Sequence, residues 1–538
     1  MKPQDAPTIA RSWDALQTGA DRSGPGRAMA LPDAAPPTPP AVRRVALISA
    51  QASPLAMSGG ADGDGQHVYV TQLARQLARA GVAVDVFTRR AAPGQRRVVE
   101  WYDNVRVIHV PAGPAHHMPN QALAPHMAAF ARLVERFIRR QPLTYDLVHA
   151  NALLSGTAAL HLKRTLGLPF ALTFEAGGPL GRPPAHETDG AAAQRPGIDA
   201  AVVREAAGVI TDSGQQQPGL AHLHDAVPAR IAVVPRGFSS DEFWPVPMRE
   251  ARERLHIGAR RFVVLQLGRM APRKGVDTVI QAVAMLRQQH GVDAELIIVG
   301  GAAARPDQQR CGGEHARPAS ALHQAVPAYA VPAAASRPSG QAIGARDGAP
   351  FRPGAIALSR MHVDQIDVGH DGAPGAGIDG DGAELARLRQ LARELGIAPH
   401  VRFEGRRPRT ALRDYYAAAD VFASTPWRAP LGVTAVEAMA CARVVVGAAP
   451  NGIQSTVVDG VTGCLVAPRD PAALAERLAW LQRQPERARH MGQLGRVRAC
   501  EHYTWQRVAQ QVMALYNDIL DDTRAALQPA PLSSQESA

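Results

Sequence analysis

The feature that most restricts this chain is a repeated alternation of short, largely apolar runs with helix-spaced segments. Arg44–Ser49 (RVALIS) is followed by a glycine-rich turn, SGGADGDGQ, and then by VYVTQLARQLARAG, whose apolar spacing is helical and which Gly81 closes; VAVDVFT follows. A short run without polar alternation suits a strand covered on both faces, which in practice means a parallel strand under helices. Strand, turn, helix and strand make one βαβ unit, whose first turn aims backbone amides at a ligand. The alternation continues through DLVHAN, GTAALHLKRTLG, FALTFE, AAGVITDS and RIAVVP. A second series starts at Phe262 with FVVLQLG, MAPRKG, VDTVIQAVAMLRQQHG and AELIIVGG, and runs through HVRFEG, DVFAST, RVVVGA and LVAP. Such a chain is α/β, with two parallel sheets and a cleft at the carboxyl ends of their strands.

With 538 residues, the chain exceeds what one core usually spans. Residues 1–42, rich in Pro, Ala and Gly, and the tail after Asp521 lack the apolar content to bury a core and are expected to be disordered. Residues 302–382 show no sustained period and are expected to be an insertion that leaves and rejoins one surface point. The rest divides into a domain over residues 43–246, a second over 247–503, and a closing helix over 504–521 that returns to the first. No apolar run approaches the length of a membrane span. The N-terminus lacks a basic segment followed by an apolar one, and the four cysteines are scattered. A reducing, cytoplasmic setting is expected. The net charge of +11 favours anionic ligands, but no zinc-finger spacing or basic–aromatic interleaving points to nucleic acid.

Three segments carry the chemistry: SPLAMSGGADGDGQHVYVTQLARQLARAG, LGRMAPRKGVDTVIQA, and PLGVTAVEAMACARVVVGAAPNGIQSTVVDGVTGCLVAP. In this order and spacing they resemble family 4 glycosyltransferases of the GT-B fold, with two Rossmann-like domains. The likeness is strongest to the branch holding sucrose-phosphate synthase and the inositol-phosphate glycosyltransferase of mycothiol synthesis. It spans about Arg43 to Asp521 and includes the closing YTWQRVAQQVMALY. It implies a retaining, front-face transfer of a hexosyl group from a nucleotide sugar, UDP-linked, with no metal and no other cofactor. The acceptor stays open among sugars, polyol phosphates and lipid-linked compounds.

Departure of a nucleoside diphosphate builds negative charge, and cations placed there stabilise the transition state more than the ground state. Arg269 offers a planar fork and Lys274 a compact charge on the turn after the first strand of the second domain. The resemblance assigns both to the diphosphate. Pro430, Leu431 and Gly432 precede a helix whose free amides suit an anion, and Gly432 lets backbone approach closely. Glu437 sits one turn into that helix, and the resemblance implies that its carboxylate accepts the ribose hydroxyls. Gly65, in the Gly63–Gln66 turn that opens the first helix, is expected to allow close approach to the same diphosphate, while Tyr69 and Val70 belong to the core.

Several positions depart from the family pattern. Ala429 stands for the first Glu of an E-x7-E pair, Glu175 and Gln51 each replace a family His, Asn151 replaces the second His of H-x-H behind His149, Asp64 replaces a phosphate-turn glycine, and Ala442 replaces a glycine. The diphosphate cations remain while groups near the transferred sugar have changed. Two readings follow: a transferase with altered donor or acceptor choice, or a degenerate protein that binds a nucleotide or sugar as a regulatory partner.

The helix FARLVERFIRR carries Leu133, Val134, Phe137 and Ile138 beside Arg132, Arg136, Arg139 and Arg140. Such a helix suits either packing on a sheet, the commoner case, or weak peripheral contact with the inner face of an anionic bilayer. His109, His116, His117 and His126 show no ligand spacing, and the acidic run DVGHDGAPGAGIDGDG lacks the terminal Glu of a calcium loop.

Overall fold

The computed structural model describes residues 42–55, 64–174, 190–214, 217, 220, 230–301, 378–427, 432–449 and 452–527. The first sheet contains β1 (Arg44–Ile48), β2 (Ala83–Arg89), β3 (Val98–Tyr102), β4 (Val105–Val110), β5 (Leu147–Asn151), β6 (Phe170–Thr173), β7 (Gly208–Thr211) and β8 (Ile231–Val233). Their spatial order is β3-β4-β2-β1-β5-β6-β7-β8. The second sheet contains β9 (Phe262–Leu267), β10 (Ala294–Val299), β11 (Val401–Gly405), β12 (Val421–Ser424), β13 (Val444–Ala448) and β14 (Gly463–Val466), in the order β11-β10-β9-β12-β13-β14. All neighbours pair in parallel except β3 and β4. The expected α/β architecture with two sheets is therefore present, corrected at one edge. The antiparallel β3 carries half-exposed residues (VVEWY), so it lacks the apolar run by which the buried strands are read.

Burial explains the pattern. Every residue of β10 (AELIIV) is buried, because helices cover both faces of the sheet. In the first sheet one face packs Ile48, Phe87, Val148 and Leu172 under the helices Met127–Arg139 and Ala152–Leu166. The other face packs Val45, Leu47 and Val86 under the helix Asp64–Arg79 and the C-terminal helix. The C-terminal helix runs Trp505–Leu527, so residues 522–527, expected to begin a disordered tail, are helical. It carries Trp505, Val512 and Tyr516 into the first domain's core. Gly208 packs closely against this helix, since a Cβ there would meet Leu515 Cδ1 at 2.9 Å and that side chain would have to shift.

Two further boundaries are corrected. The first helix already begins at Asp64, inside the expected Gly63–Gln66 turn. The helix Ile378–Glu394 begins inside the stretch expected to remain irregular as far as Gly382. The amphipathic helix Met127–Arg139 buries Met127, Phe130, Ala131 and Val134 against the sheet. Residues 302–377, residues 1–41 and residues beyond 527 lie outside the described residues. Among the described residues, no helix is long and apolar enough to cross a membrane.

Candidate functional site

In each sheet the chain order reverses at one place, and there the loops leaving adjacent strands diverge and open a crevice. In the second sheet this place lies between β9 and β12. The chain leaves β9 through Gly268, exposes Arg269, and makes a single 3-10 turn, Pro272–Lys274, before the helix Val276–Gln288. The turn is pinned to the end of β12. Gly275 has φ 66° and its position would put a Cβ 2.0 Å from the Thr425 carbonyl oxygen, so only glycine fits. Thr425 Oγ1 donates to the Gly275 carbonyl at 2.8 Å, and the Trp427 amide donates to the Arg273 carbonyl at 2.9 Å.

This clamp gathers cations. Burial pushes the Lys274 ammonium below the usual lysine range, and the positive charges of Arg269 and Arg273 push it further the same way. A half-buried ammonium among like charges is poised for an anion, which would relieve both costs. Just past the end of β14, Arg469 (φ 58°) stacks 3.8 Å over the Trp427 ring.

The helix Val433–Ala440 starts beside this turn with Gly432 at its N-cap and no side-chain cap, which leaves its first amides available. Ala429, Pro430 and Leu431 lie outside the described residues. Glu437 requires a correction. Its side chain is 2% exposed, and its carboxylate faces protein groups rather than a cleft. Tyr416 donates to Oε2 at 2.9 Å. Arg409 Nη2 lies 2.9 Å from Oε1, off the hydrogen-bond axis, so that Oε1 keeps the ion pair without an aligned donor. Burial pushes the Glu437 carboxyl above its usual range; Arg409 and Tyr416 oppose that shift without cancelling it. Arg409 is shared with Glu242, to which its Nε donates. Ala442, just past this helix, adopts φ 56°, a conformation that favours glycine and explains why a glycine suits that position.

The first sheet reverses between β1 and β5. Here the polar groups are neutral and turned inward. His149 is fully buried; its Nδ1 lies 2.5 Å from Tyr516 Oη and its Nε2 2.7 Å from Thr173 Oγ1, which in turn lies 3.2 Å from Tyr69 Oη. Burial pulls the imidazole down to about 3. It is thus a neutral tie between β5, β6 and the C-terminal helix. Asn151 is also fully buried. Ser49 Oγ donates to the Ala52 carbonyl at 2.7 Å, so it can only accept from Asn151 Nδ2, at 3.4 Å, and Asn151 Oδ1 is left unpartnered. Gln51 Oε1 is buried without a partner as well, and Ala152 takes φ 66° immediately after β5. Gly65 falls in the first turn of the helix, while the side chain of Asp64 and residue Glu175 lie outside what is described.

Sequence reasoning brought forward Arg269 and Lys274, and the structure places both on one pinned loop. It passed over Arg409, Tyr416, Thr425, Trp427 and Arg469, which come from other strands and helices. Trp427, two residues before Ala429, carried the one readable signal: the sole aromatic in the stretch TPWRAPLG.

Two parallel sheets, with cations assembled at the reversal point of the second, form an α/β protein built to receive an anionic ligand between strand ends. Residues 247–324 and 376–498 match the family profile described as glycosyl transferases group 1, and residues 64–237 match that of a glycosyl transferase 4-like domain. The D-inositol 3-phosphate glycosyltransferase 1 of Catenulispora acidiphila is 30% identical over 486 residues, covering 90% of this chain and 98% of that one. The D-inositol 3-phosphate glycosyltransferase of Acidothermus cellulolyticus is 30% identical over 508 residues, covering 93% and 95%. Among solved structures, sucrose-phosphate synthase from Thermosynechococcus elongatus matches with a TM-score of 0.66 at 27% identity, over 89% of this chain and 100% of that one. HepE of Anabaena, solved with UDP and glucose, shares the fold at 18% identity and a TM-score of 0.56, over 90% and 99%. The chain belongs to the group 1 glycosyltransferases. That membership rests on likeness along both domains and not on Glu437.

Proposed function

We propose that this protein transfers a hexosyl group from a UDP-sugar to a phosphorylated polyol or sugar, with retention at the anomeric carbon and without a metal ion. The observation that carries the proposal is the pinned loop holding Arg269 and Lys274 at the reversal point of the second sheet. In the reaction the bond from the anomeric carbon to the diphosphate oxygen breaks. The acceptor oxygen bonds to the same face of that carbon, and its proton passes to the departing diphosphate. Arg269 and Lys274 would neutralise the charge that grows on the diphosphate, an interaction that strengthens as the bond lengthens. UDP in the fold neighbour HepE supports the base. The inositol 3-phosphate and sucrose phosphate in the names of the relatives support the acceptor class.

The test is nucleotide release from UDP-, GDP- and ADP-sugars, each with inositol phosphate and sugar phosphates as acceptors, with and without chelator. Lys274→Ala serves as control, and the product anomer is read by NMR. Release from a UDP-sugar that depends on a phosphorylated acceptor, survives chelation and gives the retained anomer is expected. A second reading, a nucleotide-binding partner without turnover, is favoured by one observation: Glu437 is sealed against Tyr416 and Arg409. Tight UDP binding with no turnover on any donor would establish that reading and overturn the first.

A further inference from the structure

The first sheet has a second basic feature, away from the Arg269–Lys274 loop. In the helix Met127–Arg139 and its C-cap Arg140, Leu133, Arg136, Phe137 and Arg140 recur at helical spacing and share one face. This face meets the last residues of β4, and between them lies a cavity of about 230 Å³, onto which Arg97 also opens from the segment before β3. Its apolar wall is formed by Leu133, Phe137 and Ile108. Phe137 is fixed edge-on to Phe87, with ring centroids 5.5 Å apart.

The cations are out of balance. Arg139, on another face of the same helix, is paired with Glu135 at 2.8 Å. Arg97, Arg136 and Arg140 make no side-chain hydrogen bond or ion pair with any described residue, and among the described residues no carboxylate lines the cavity. Arg136 and Arg140 stand one turn apart as like charges, an arrangement that destabilises a helix unless an anion answers it. Guanidinium forks match phosphate oxygens in pairs, and an apolar wall strengthens that attraction by lowering the local dielectric.

We propose that this cavity binds a phosphate ester, with Arg97, Arg136 and Arg140 closing on the phosphate and Leu133 and Phe137 taking the carbon body. The site shares no residue with the Arg269–Lys274 loop. The same chemistry is offered by a soluble sugar or polyol phosphate and by the headgroup of an anionic phospholipid.

The experiment uses the full chain in a Lys274→Ala background, which weakens the other anion site. Calorimetry with inorganic phosphate and glycerol 3-phosphate, and co-sedimentation with phosphatidylglycerol against phosphatidylcholine vesicles, compare this protein with one also carrying Arg136→Gln and Arg140→Gln. The double substitution is expected to raise the dissociation constant for phosphate about tenfold or more, and Arg97→Gln alone to raise it less. Both arginines are exposed, so an unchanged melting temperature is expected and shows that the fold persists. Glycerol 3-phosphate bound in solution without vesicle binding identifies a soluble ester. Arginine-dependent binding to phosphatidylglycerol alone identifies a lipid headgroup. Phosphate, glycerol 3-phosphate and vesicles all bound equally by the parent and the double variant, or not at all by either, would overturn the proposal.

Discussion

The two sheets reverse strand order in the same way, yet the two reversal points have opposite chemistry. Between β9 and β12 the loop is pinned by backbone and Thr425, and cations are crowded onto it at a cost shown by the depressed Lys274. Between β1 and β5 the side chains are neutral, and His149 is spent on Tyr516 and Thr173, holding the C-terminal helix in place. One crevice stores electrostatic tension that a ligand can relieve, while the other has turned its polar groups into structure. The strands reverse alike at both points, so the difference lies in the side chains: like charges crowded on one loop, neutral groups bonded to one another at the other.

The sharpest way to break this contrast is Arg409→Ala. It removes the only cation paired with buried Glu437 among the described residues and is expected to cost about 3–5 kcal/mol of stability in denaturant unfolding. A paired Glu437→Gln change should restore most of it, because the neutral amide no longer needs a counter-ion. Next, Lys274→Ala should lower affinity for UDP by about tenfold or more, about 1.4 kcal/mol, by calorimetry, whereas changes at Gln51 should leave it unaltered. Equal loss at both would erase the distinction between the crevices. Because the Lys274 ammonium is depressed and binding needs its charged form, UDP affinity should also fall on raising the pH before ordinary lysines titrate.

At the first reversal point the sign is opposite. His149 binds its proton in the folded protein only near pH 3, but in the unfolded chain near 6.5. Stability present above pH 6.5 is therefore lost as the pH falls below that value, by about 1.4 kcal/mol at pH 5.5. Urea unfolding across pH 5–8 measures it, and a His149 NMR signal that titrates in that window would refute it. The smallest effect expected is a gain: Ala442→Gly removes a left-handed strain and should add about 1 kcal/mol, seen as a higher denaturation midpoint.

Much of the fold was legible because parallel strands buried on both faces leave continuous apolar runs; β13 (VVVGA) is such a case. The edge strand β3 was not, because half-exposed residues obey no such rule. The ends of the helices at Ile378 and Leu527 were also misjudged, since glycine and charge near a helix end lower propensity without preventing a packed helix from continuing. At the candidate site, Arg269 and Lys274 could be read because both lie on one loop. Glu437 could not: one turn of helix among apolar neighbours is compatible with a buried or an open carboxylate. Its fate was decided by Tyr416 and Arg409, which lie on a separate helix.

Sequence alone thus determined the alternating α/β layout and the offer of Arg269 and Lys274 on one loop after a strand, because these depend on residues that are neighbours in the chain. Only the tertiary structure decided that Glu437 faces inward, that His149 is neutral, and that Arg97 meets Arg136 and Arg140. Burial and charge pairing are properties of which distant segments meet, and they set protonation and exposure more strongly than the residue type does.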